Sequence, residues 1–568
     1  MEPAAALLHQ YPELALFLSI VLGHAIGRFH FKGVGLGVVV GTLIAGIVIG
    51  ILARPQLPEL LRWAFFYLFL FSVGYSVGPQ FFGSLKKSAL PQIAVTVAVA
   101  VAGLTTAVAM ALVFGFDEGI AVGLLSGGMT QSAALGTGLN AIAELPLPDD
   151  VKAKLSAHAP LADAITYGFG DLGLILFLTW LGPLIMRADL KREARVLESQ
   201  LAGGKTGGGD TLSGTHFSFR VHRVTQVPVA RMTVAALEER YAEGHLSVQR
   251  VQRDGALLRV APALEIRPGD LIVIGARLGV LPRVEREIGP EQDEPALLAI
   301  PLKTVSVVVT SKEVHGRTIA ELSGRRAETR GVYLEALQRG EEAIPRAAWT
   351  VVERGDVLRL VGAPEDVDRA ATAAGFVERD LARTDLAFLA AGICLGVVTG
   401  MLKVKLGDVA LGLGTAGSIL VIGLLAGLAR SRYPVFGAIP VAAQRLLMDI
   451  GLIVFIAVVG LNAGPHAVEA YQQSGGAFFA RIFVSGMVVT VAPLAAGLIV
   501  ARLVLRMNPM MVVGTLAGAQ TCTPGLNALR EASDSNVGAL AYTVPYAINN
   551  ILLTVWGPVI VAIIYSLR

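Results

Sequence analysis

Two long apolar blocks dominate this 568-residue chain, and they repeat each other. In the first block apolar segments run over 13–29, 33–53, 62–82, 89–115, 118–142 and 160–186. In the second they run over 385–402, 408–429, 445–464, 476–505, 510–529 and 539–567. Most come near the ~20 residues a helix needs to cross the hydrocarbon of a bilayer. Four motifs recur in the same order. Gly35-Leu36-Gly37 through Gly46 to Gly50 matches Gly412-Leu413-Gly414 through Gly423 to Gly427. Val73-Gly74-Tyr75-Ser76-Val77-Gly78-Pro79 matches Val459-Gly460-Leu461-Asn462-Ala463-Gly464-Pro465. Gly138-Leu139-Asn140-Ala141 matches Gly525-Leu526-Asn527-Ala528. Tyr167 and Asp171 before Gly182-Pro183 match Tyr546 and Asn550 before Gly557-Pro558. The chain is therefore read as two copies of one membrane unit.

Charge is unevenly placed. Only 16% of residues are charged, against ~25% in an ordinary soluble domain, and residues 187–384 carry 57 of the 91 charged side chains. That stretch reads as soluble, and the flanks as sitting in lipid. The expected domains are a first transmembrane half, 1–186; a flexible glycine-rich linker, 187–212; two small α+β domains, 213–288 and 299–376; and a second transmembrane half, 385–568. The small domains repeat too. Pro268-Gly269-Asp270 precedes the apolar run Leu271–Ile274, and Arg354-Gly355-Asp356 precedes Val357–Val361; each is followed by a helix-like stretch, 278–287 and 364–374.

The segments 118–142 and 510–529 are rich in Gly, Ser, Thr, Gln and Asn. They read as re-entrant or broken helices, which leaves five spans in each half. Lys and Arg favour the cytoplasmic side. With an inside insert, Arg28, Lys32, Lys86, Lys87, Arg430, Arg432, Arg502 and Arg506 then fall inside, and both chain termini outside. Lys152, Lys154, Lys403 and Lys405 break the rule. Five spans per half make the repeat inverted, the build of many secondary transporters. The Gly-Pro pairs at 78–79 and 464–465 are expected to end or break a helix.

Several function classes are set aside. Basic residues form no patch of the kind nucleic acid requires. The two cysteines, Cys394 and Cys522, give neither a disulfide framework nor zinc spacing. No cofactor or metal site is expected. No Lys or Arg precedes the first apolar run, so a cleavable signal is not expected. Without a P-loop or hydrolase motif, transport would be driven by a gradient or by exchange.

The polar breaks are the candidate substrate site. Exposed backbone at membrane depth persists only in protein or beside a water-filled cavity, and a broken helix aims a positive dipole end into the membrane. Gly128, Thr130, Gln131, Ser132 and Thr137, with Gln520, Thr521, Cys522 and Thr523, offer donors for a carboxylate; Asn140 and Asn527 close each motif, and Tyr75 and Asn462, at adjacent places of the Gly-Pro-ended motif in the two halves, are further candidates. Asp171 is the clearest ionisable group inside a span, where such groups are costly and functional. With its neutral mate Asn550, and with Tyr167 and Tyr546, it is the candidate for coupling or gating.

The Gly-Pro-ended spans, Gly127-Gly128-Met129-Thr130-Gln131-Ser132, Gly518-Ala519-Gln520-Thr521-Cys522-Thr523-Pro524 and the duplicated insert resemble the aspartate:alanine exchanger family of bacterial transporters over nearly the whole chain. The insert resembles, twice over, the RCK-C (TrkA-C type) module of potassium-conductance regulators. The resemblance implies an antiporter of the inner membrane for small anionic substrates: aspartate against alanine, glutamate or succinate. It also implies a homodimer and a regulatory ligand, of unknown identity, for the insert. The rival is a regulated potassium or other ion channel, since Ser72-Val73-Gly74-Tyr75-Ser76 looks like a selectivity filter.

Overall fold

The computed structural model describes residues 2–28, 30–31, 34–35, 37–84, 89–201, 217–226, 229, 231–242, 245–340, 342–378, 384–402, 404–406, 409–411, 414–432, 437 and 439–567. The glycines of the expected linker, Lys32, Lys86, Lys87 and Lys403 of the charge argument, and Leu36, Gly412 and Leu413 of the first repeat motif lie outside the described residues. The chain divides into two compact units: residues 1–197 with 381–568, and residues 198–380.

The apolar unit is helical. Its first part holds α1 (Glu2–Gln10), α2 (Pro12–Gly27), α3 (Val38–Ala53), α4 (Glu59–Ser84), α5 (Leu90–Phe114), α6 (Glu118–Gly128), α7 (Ser132–Ala143) and α8 (Asp149–Leu176), which continues through a wide turn to Met186. Among the described residues seven helices are long and apolar enough to cross a membrane, or eight if the bent pair α1–α2 is one span.

The insert unit contains two five-stranded antiparallel sheets. The first comprises β1 (Phe217–Arg223), α9 (Val234–Arg240), β2 (Ser247–Arg253), β3 (Ala256–Leu258), β4 (Leu271–Arg277), α10 (Leu281–Ile288) and β5 (Glu291–Gln292), with strand order β3-β2-β4-β1-β5. The second comprises β6 (Lys303–Val309), α11 (Ile319–Ser323), β7 (Val332–Arg339), β8 (Glu342–Ala343), β9 (Val357–Gly362), α12 (Pro364–Ala374) and β10 (Gly375–Glu378), with the equivalent order β8-β7-β9-β6-β10. Each has a register shift at the same place, between Val248 and Arg250 in β2 and between Arg359 and Leu360 of β9 against β7. Each carries the same buried staple. Arg253 grips Asp270 with two 2.8 Å hydrogen bonds and also donates to the Glu265 carbonyl; Arg339 grips Asp356 in the same way and donates to the Val351 carbonyl. The Pro-Gly-Asp and Arg-Gly-Asp signatures thus mark a buried carboxylate that its arginine neutralises.

After the insert the apolar helices resume as α13 (Leu386–Gly400) and α14 (Gly414–Arg432). One helical run, Val441–Ile499, is broken at Gly475 (φ 68°) into α15 (441–474) and α16 (476–499, running on through Val504). Then come α17 (Pro509–Ala519), α18 (Thr523–Ser533) and α19 (Ala539–Leu567).

Eight of the repeated glycines form two helix crossings, and both join one half to the other. Gly46 and Gly50 of α3 meet Gly460 and Gly464 of α15; Gly74 and Gly78 of α4 meet Gly423 and Gly427 of α14. The contacts are exchanged copies. A Cβ on Gly50 would collide with the Leu461 carbonyl oxygen, and one on its mate Gly427 with the carbonyl oxygen of Tyr75, the mate of Leu461. Four small-xxx-small pairs therefore let backbones approach as no larger residue would allow.

The same geometry corrects the expectation for the Gly-Pro pairs. Pro79 and Pro465 end no helix: α4 and α15 run on through them. A helical proline leaves the carbonyl four residues earlier without its N–H partner. Those carbonyls belong to Tyr75 and Leu461, the two that face Gly427 and Gly50. Each of these two oxygens lies against a glycine of the opposite half, where no side chain stands between them. The filter-like Ser72–Ser76 is likewise continuous helix within α4, so its carbonyls point along the helix rather than into a pore.

A Gly50→Val variant is expected to lower the melting midpoint in detergent by an overpacking cost of ~2 kcal/mol or more, while Gly476→Ala, whose Cβ meets nothing within 4 Å, leaves it in place. Equal midpoints for the two variants would contradict the crossing as described.

Candidate functional site

Two helix breaks, one in each half, are built alike. α6 ends in a motif in which Thr130 N–H donates to Gly127 O (3.2 Å) and Gln131 N–H to Ser126 O (2.8 Å). α17 ends with Thr521 N–H to Gly518 O (2.9 Å) and Cys522 N–H to Ala517 O (3.3 Å). This is the helix-ending arrangement that places a left-handed residue just past the cap, a position normally filled by glycine. Here both places hold threonine, each at φ 52°. A β-branched residue is strained in that region, and such strain persists where surrounding structure enforces it, commonly at functional sites. The next helix starts at once in each case, α7 at Ser132 and α18 at Thr523, so two helix N-termini lie beside the breaks; in α18 Pro524 has no N–H and the Gly525 N–H donates to Cys522 Sγ (3.4 Å).

The breaks meet. Thr130 Oγ1 donates to Gln520 O across the halves (2.7 Å). Thr490 of α16 ties them further, donating to Gly128 O (2.9 Å) and accepting at its carbonyl from Gln520 Nε2 (3.1 Å). The helices α8 and α19 reach over to the opposite break. Asp171 of α8 accepts from Cys522 Sγ (3.3 Å), and its repeat mate Asn550 of α19 accepts from Gln131 Nε2 (3.2 Å). Asn549 donates to Ala519 O. Tyr167 donates to Thr130 O (3.4 Å), with the Ser132 side chain as a further partner. Tyr546 stacks on Tyr542 (5.1 Å between centroids), whose hydroxyl lies 3.2 Å from Thr523 Oγ1.

So the sequence candidates divide. Gly128, Thr130, Gln131, Ser132, Gln520, Cys522, Thr523, Asp171, Tyr167, Tyr546 and Asn550 fall in one connected group, and Thr521 sits in the second break itself. Thr137 pins α7 to α19 through the Thr554 carbonyl (2.7 Å). Asn140, half-buried toward the end of α7, is bonded to Glu144, and Asn527, exposed in the middle of α18, to Arg530. Tyr75 and Asn462 belong to the glycine crossings, where the Tyr75 hydroxyl donates to Gly437 O (2.9 Å). Thr490 and Asn549 were not singled out from the sequence: one is a lone polar residue in an apolar span, the other stands beside the Asn550 that the repeat picks out.

The halves differ in polarity at this point. At the first break Met129 packs on Gly103 of α5. At the second the corresponding pair is Gln520 and Thr490, and three buried polar atoms there, Gln520 Oε1, Thr521 Oγ1 and Asn549 Oδ1, have no hydrogen-bond partner among the described residues. Buried polar atoms are rarely left so.

Comparison with known proteins gives the following. The sequence pattern of the Asp-Al_Ex family, described as a predicted permease membrane region, matches residues 15–183 and 388–562. The TrkA-C domain pattern matches residues 304–375. A Bordetella parapertussis protein named as an uncharacterized transporter is 47% identical over 99% of this chain and 98% of its own length. Similarly named proteins of Bradyrhizobium diazoefficiens (38%, 99% of each chain) and Shewanella oneidensis (34%, 98% of each) are also similar. No solved structure matches.

The strain at the breaks is measurable. Thr521→Gly removes a left-handed threonine whose hydroxyl has no partner among the described residues, and is expected to raise thermal stability by ~1 kcal/mol. Thr130→Gly relieves the same strain but loses the bond to Gln520, worth ~1 kcal/mol, and is expected to leave stability nearly unchanged. Melting curves of both variants that fall together would refute the assignment of strain.

Proposed function

The chain belongs to the Asp-Al_Ex family of permease membrane regions and carries a TrkA-C domain, and on that footing we propose that it is a secondary active antiporter for small anionic substrates, amino acids or dicarboxylates of the aspartate–alanine exchange type. It is a multi-pass membrane protein. In this reading the two halves are an inverted repeat of five spans each, and α6–α7 and α17–α18 are re-entrant segments whose breaks meet at the middle of the membrane.

The observation that carries the reading is the meeting of the two strained breaks around buried polar atoms with no partner among the described residues. The helix N-terminus at Ser132 offers N–H groups, and that at Thr523 chiefly its positive dipole end, to a carboxylate. Gln520 Oε1 and Asn549 Oδ1 are acceptors and suit an ammonium group. An amino acid carries both, which favours it over a plain dicarboxylate. Asp171, joined to the second break through Cys522, would change the charge seen by the substrate and so couple binding to movement. The breaks with the helices beside them would form a moving part, and the glycine crossings a static frame holding a homodimer. The protein would act in a bacterial inner membrane with the insert cytoplasmic and both termini outside, its ligand shifting the balance between inward and outward states. Any such control is reciprocal: substrate must change the ligand's affinity by the same factor.

Counterflow in proteoliposomes tests this. Vesicles loaded with labelled aspartate are expected to release it when alanine, glutamate or succinate is offered outside. Asp171→Asn and Gln131→Ala are each expected to slow exchange at least ~10-fold, equivalent to ~1.4 kcal/mol, with normal protein levels. If no small anion drives release, or both variants exchange at the wild-type rate, the reading fails.

A further inference from the structure

The two small domains share a strand order, a bulge and a buried arginine–aspartate staple, yet one has a filled core and the other a cavity. Gly289 and Gly375, both at high positive φ and both pressed on the backbone of the first strand of their sheet, fix the alignment of the last helix in each. Val284 and Ile288 of α10 then correspond to Ala370 and Ala374 of α12. In the first domain Val284 and Ile288 are fully buried and pack with Leu237, Tyr241, Ile272 and Ile274. In the second domain those positions hold alanines, and the segment 324–330 after α11 supplies no aromatic residue in place of Tyr241. A cavity of about 150 Å³ results, floored by Ala370, Ala373 and Ala374 and walled by Leu322, Leu358 and Leu360.

Two copies of one fold, one solid and one hollow, do not call for a packing explanation. Ordinary core substitution keeps the total volume, whereas this cavity, half open to the surface, leaves its apolar walls without the packing partners that the first domain supplies. The lining also includes polar groups: Arg346, Ser323, Thr329, Tyr333 and Glu328 of the second domain, and His245 of the first at its edge. The carboxylate in that set, Glu328, is engaged by Arg325 at 3.3 Å; the Ser323 and Thr329 hydroxyls donate to backbone carbonyls, the Tyr333 hydroxyl is bonded to Ser247 and to the His245 carbonyl, and Arg346 Nη1 donates to the Glu335 carbonyl, which leaves the Arg346 guanidinium as the positive charge of the lining. An apolar body with a few convergent polar groups is the usual form of a small-molecule site.

We propose that the second domain binds a small monocarboxylate with an apolar body, seated on Ala370 and Ala374 with its head toward Arg346, while the first domain has kept the filled core and serves as scaffold. A cavity of about 150 Å³ in an unrelated protein takes benzene, so the whole ligand, head included, has roughly six to eight non-hydrogen atoms. The inference does not depend on the transport reading, since the cavity belongs to the insert unit alone.

The test uses the full-length protein in detergent and titration calorimetry with 4-methylpentanoate. Saturable binding is expected, at least ~10-fold tighter than that of 4-methylpentan-1-ol, which lacks the carboxylate. The double variant Ala370→Val/Ala374→Ile restores the residues of the filled copy. It is expected to melt at or above the wild-type midpoint and to weaken binding at least ~10-fold, and Arg346→Gln to weaken it similarly. Succinate, a candidate transport substrate, is expected not to compete. Absence of saturable binding, equal affinity for the alcohol, competition by succinate, or unchanged binding in the filled variant would each overturn the proposal; should the double variant not fold, the alcohol, the succinate competition and Arg346→Gln still decide.

Discussion

The close approach of glycine to carbonyl at the two crossings is the contact from which the rest of the apolar unit follows. In lipid, helices gain little from hiding apolar surface, so association depends on tight packing and on weak polar contacts between backbones. Gly46, Gly50, Gly74, Gly78, Gly423, Gly427, Gly460 and Gly464 provide both. Each glycine takes a carbonyl of the opposite half, and prolines 79 and 465 free two of those carbonyls. Because each crossing joins the halves, the helices carrying the breaks are brought together as well, and Thr130 can reach Gln520.

The pairing of mates extends into the breaks but not unchanged. Asp171 and Asn550 occupy matching places and each reaches the break of the other half, one to Cys522 and one to Gln131. Duplication supplies the geometry, and substitution supplies the chemistry. Met129 on Gly103 makes one side dry; Gln520 on Thr490 makes the other polar. A duplicated scaffold with one polar break and one dry one offers unlike surroundings on its two sides.

Much of this was legible in the sequence, because the signals were local and repeated. The recurring Gly-xxx-Gly spacing marked helix faces that approach closely, and runs of Gly, Thr, Gln and Ser within apolar segments marked the breaks. The Gly-Asp turns before apolar strands marked the two copies in the insert. What the sequence misled on was proline. Pro79 and Pro465 read as helix ends, since the glycines that meet their freed carbonyls lie on α14 and α3, hundreds of residues away. Ser72–Ser76 resembled a filter for a similar reason: the letters match a loop, but Gly74 is there to let Leu420 approach. Thr490 and Asn549 were invisible because one polar residue in an apolar span has no pattern around it. The cavity in the second domain is a difference between two distant alanines and their bulkier mates, and acquires meaning only once Gly289 and Gly375 align the copies.

The exchanged crossings also bear on how the chain is made. α3 and α4 leave the ribosome with glycine ridges shaped for α15 and α14, which do not yet exist. Residues 187–384 must be synthesised first, and at ~5–20 residues per second that takes on the order of 10 to 40 s. During that wait the first half stands in the membrane with a grooved face uncovered and the Tyr75 carbonyl without its glycine. The insert is therefore also a delay line, and a first half that survives the delay must find a temporary cover, from lipid or from another protein, before its own second half arrives.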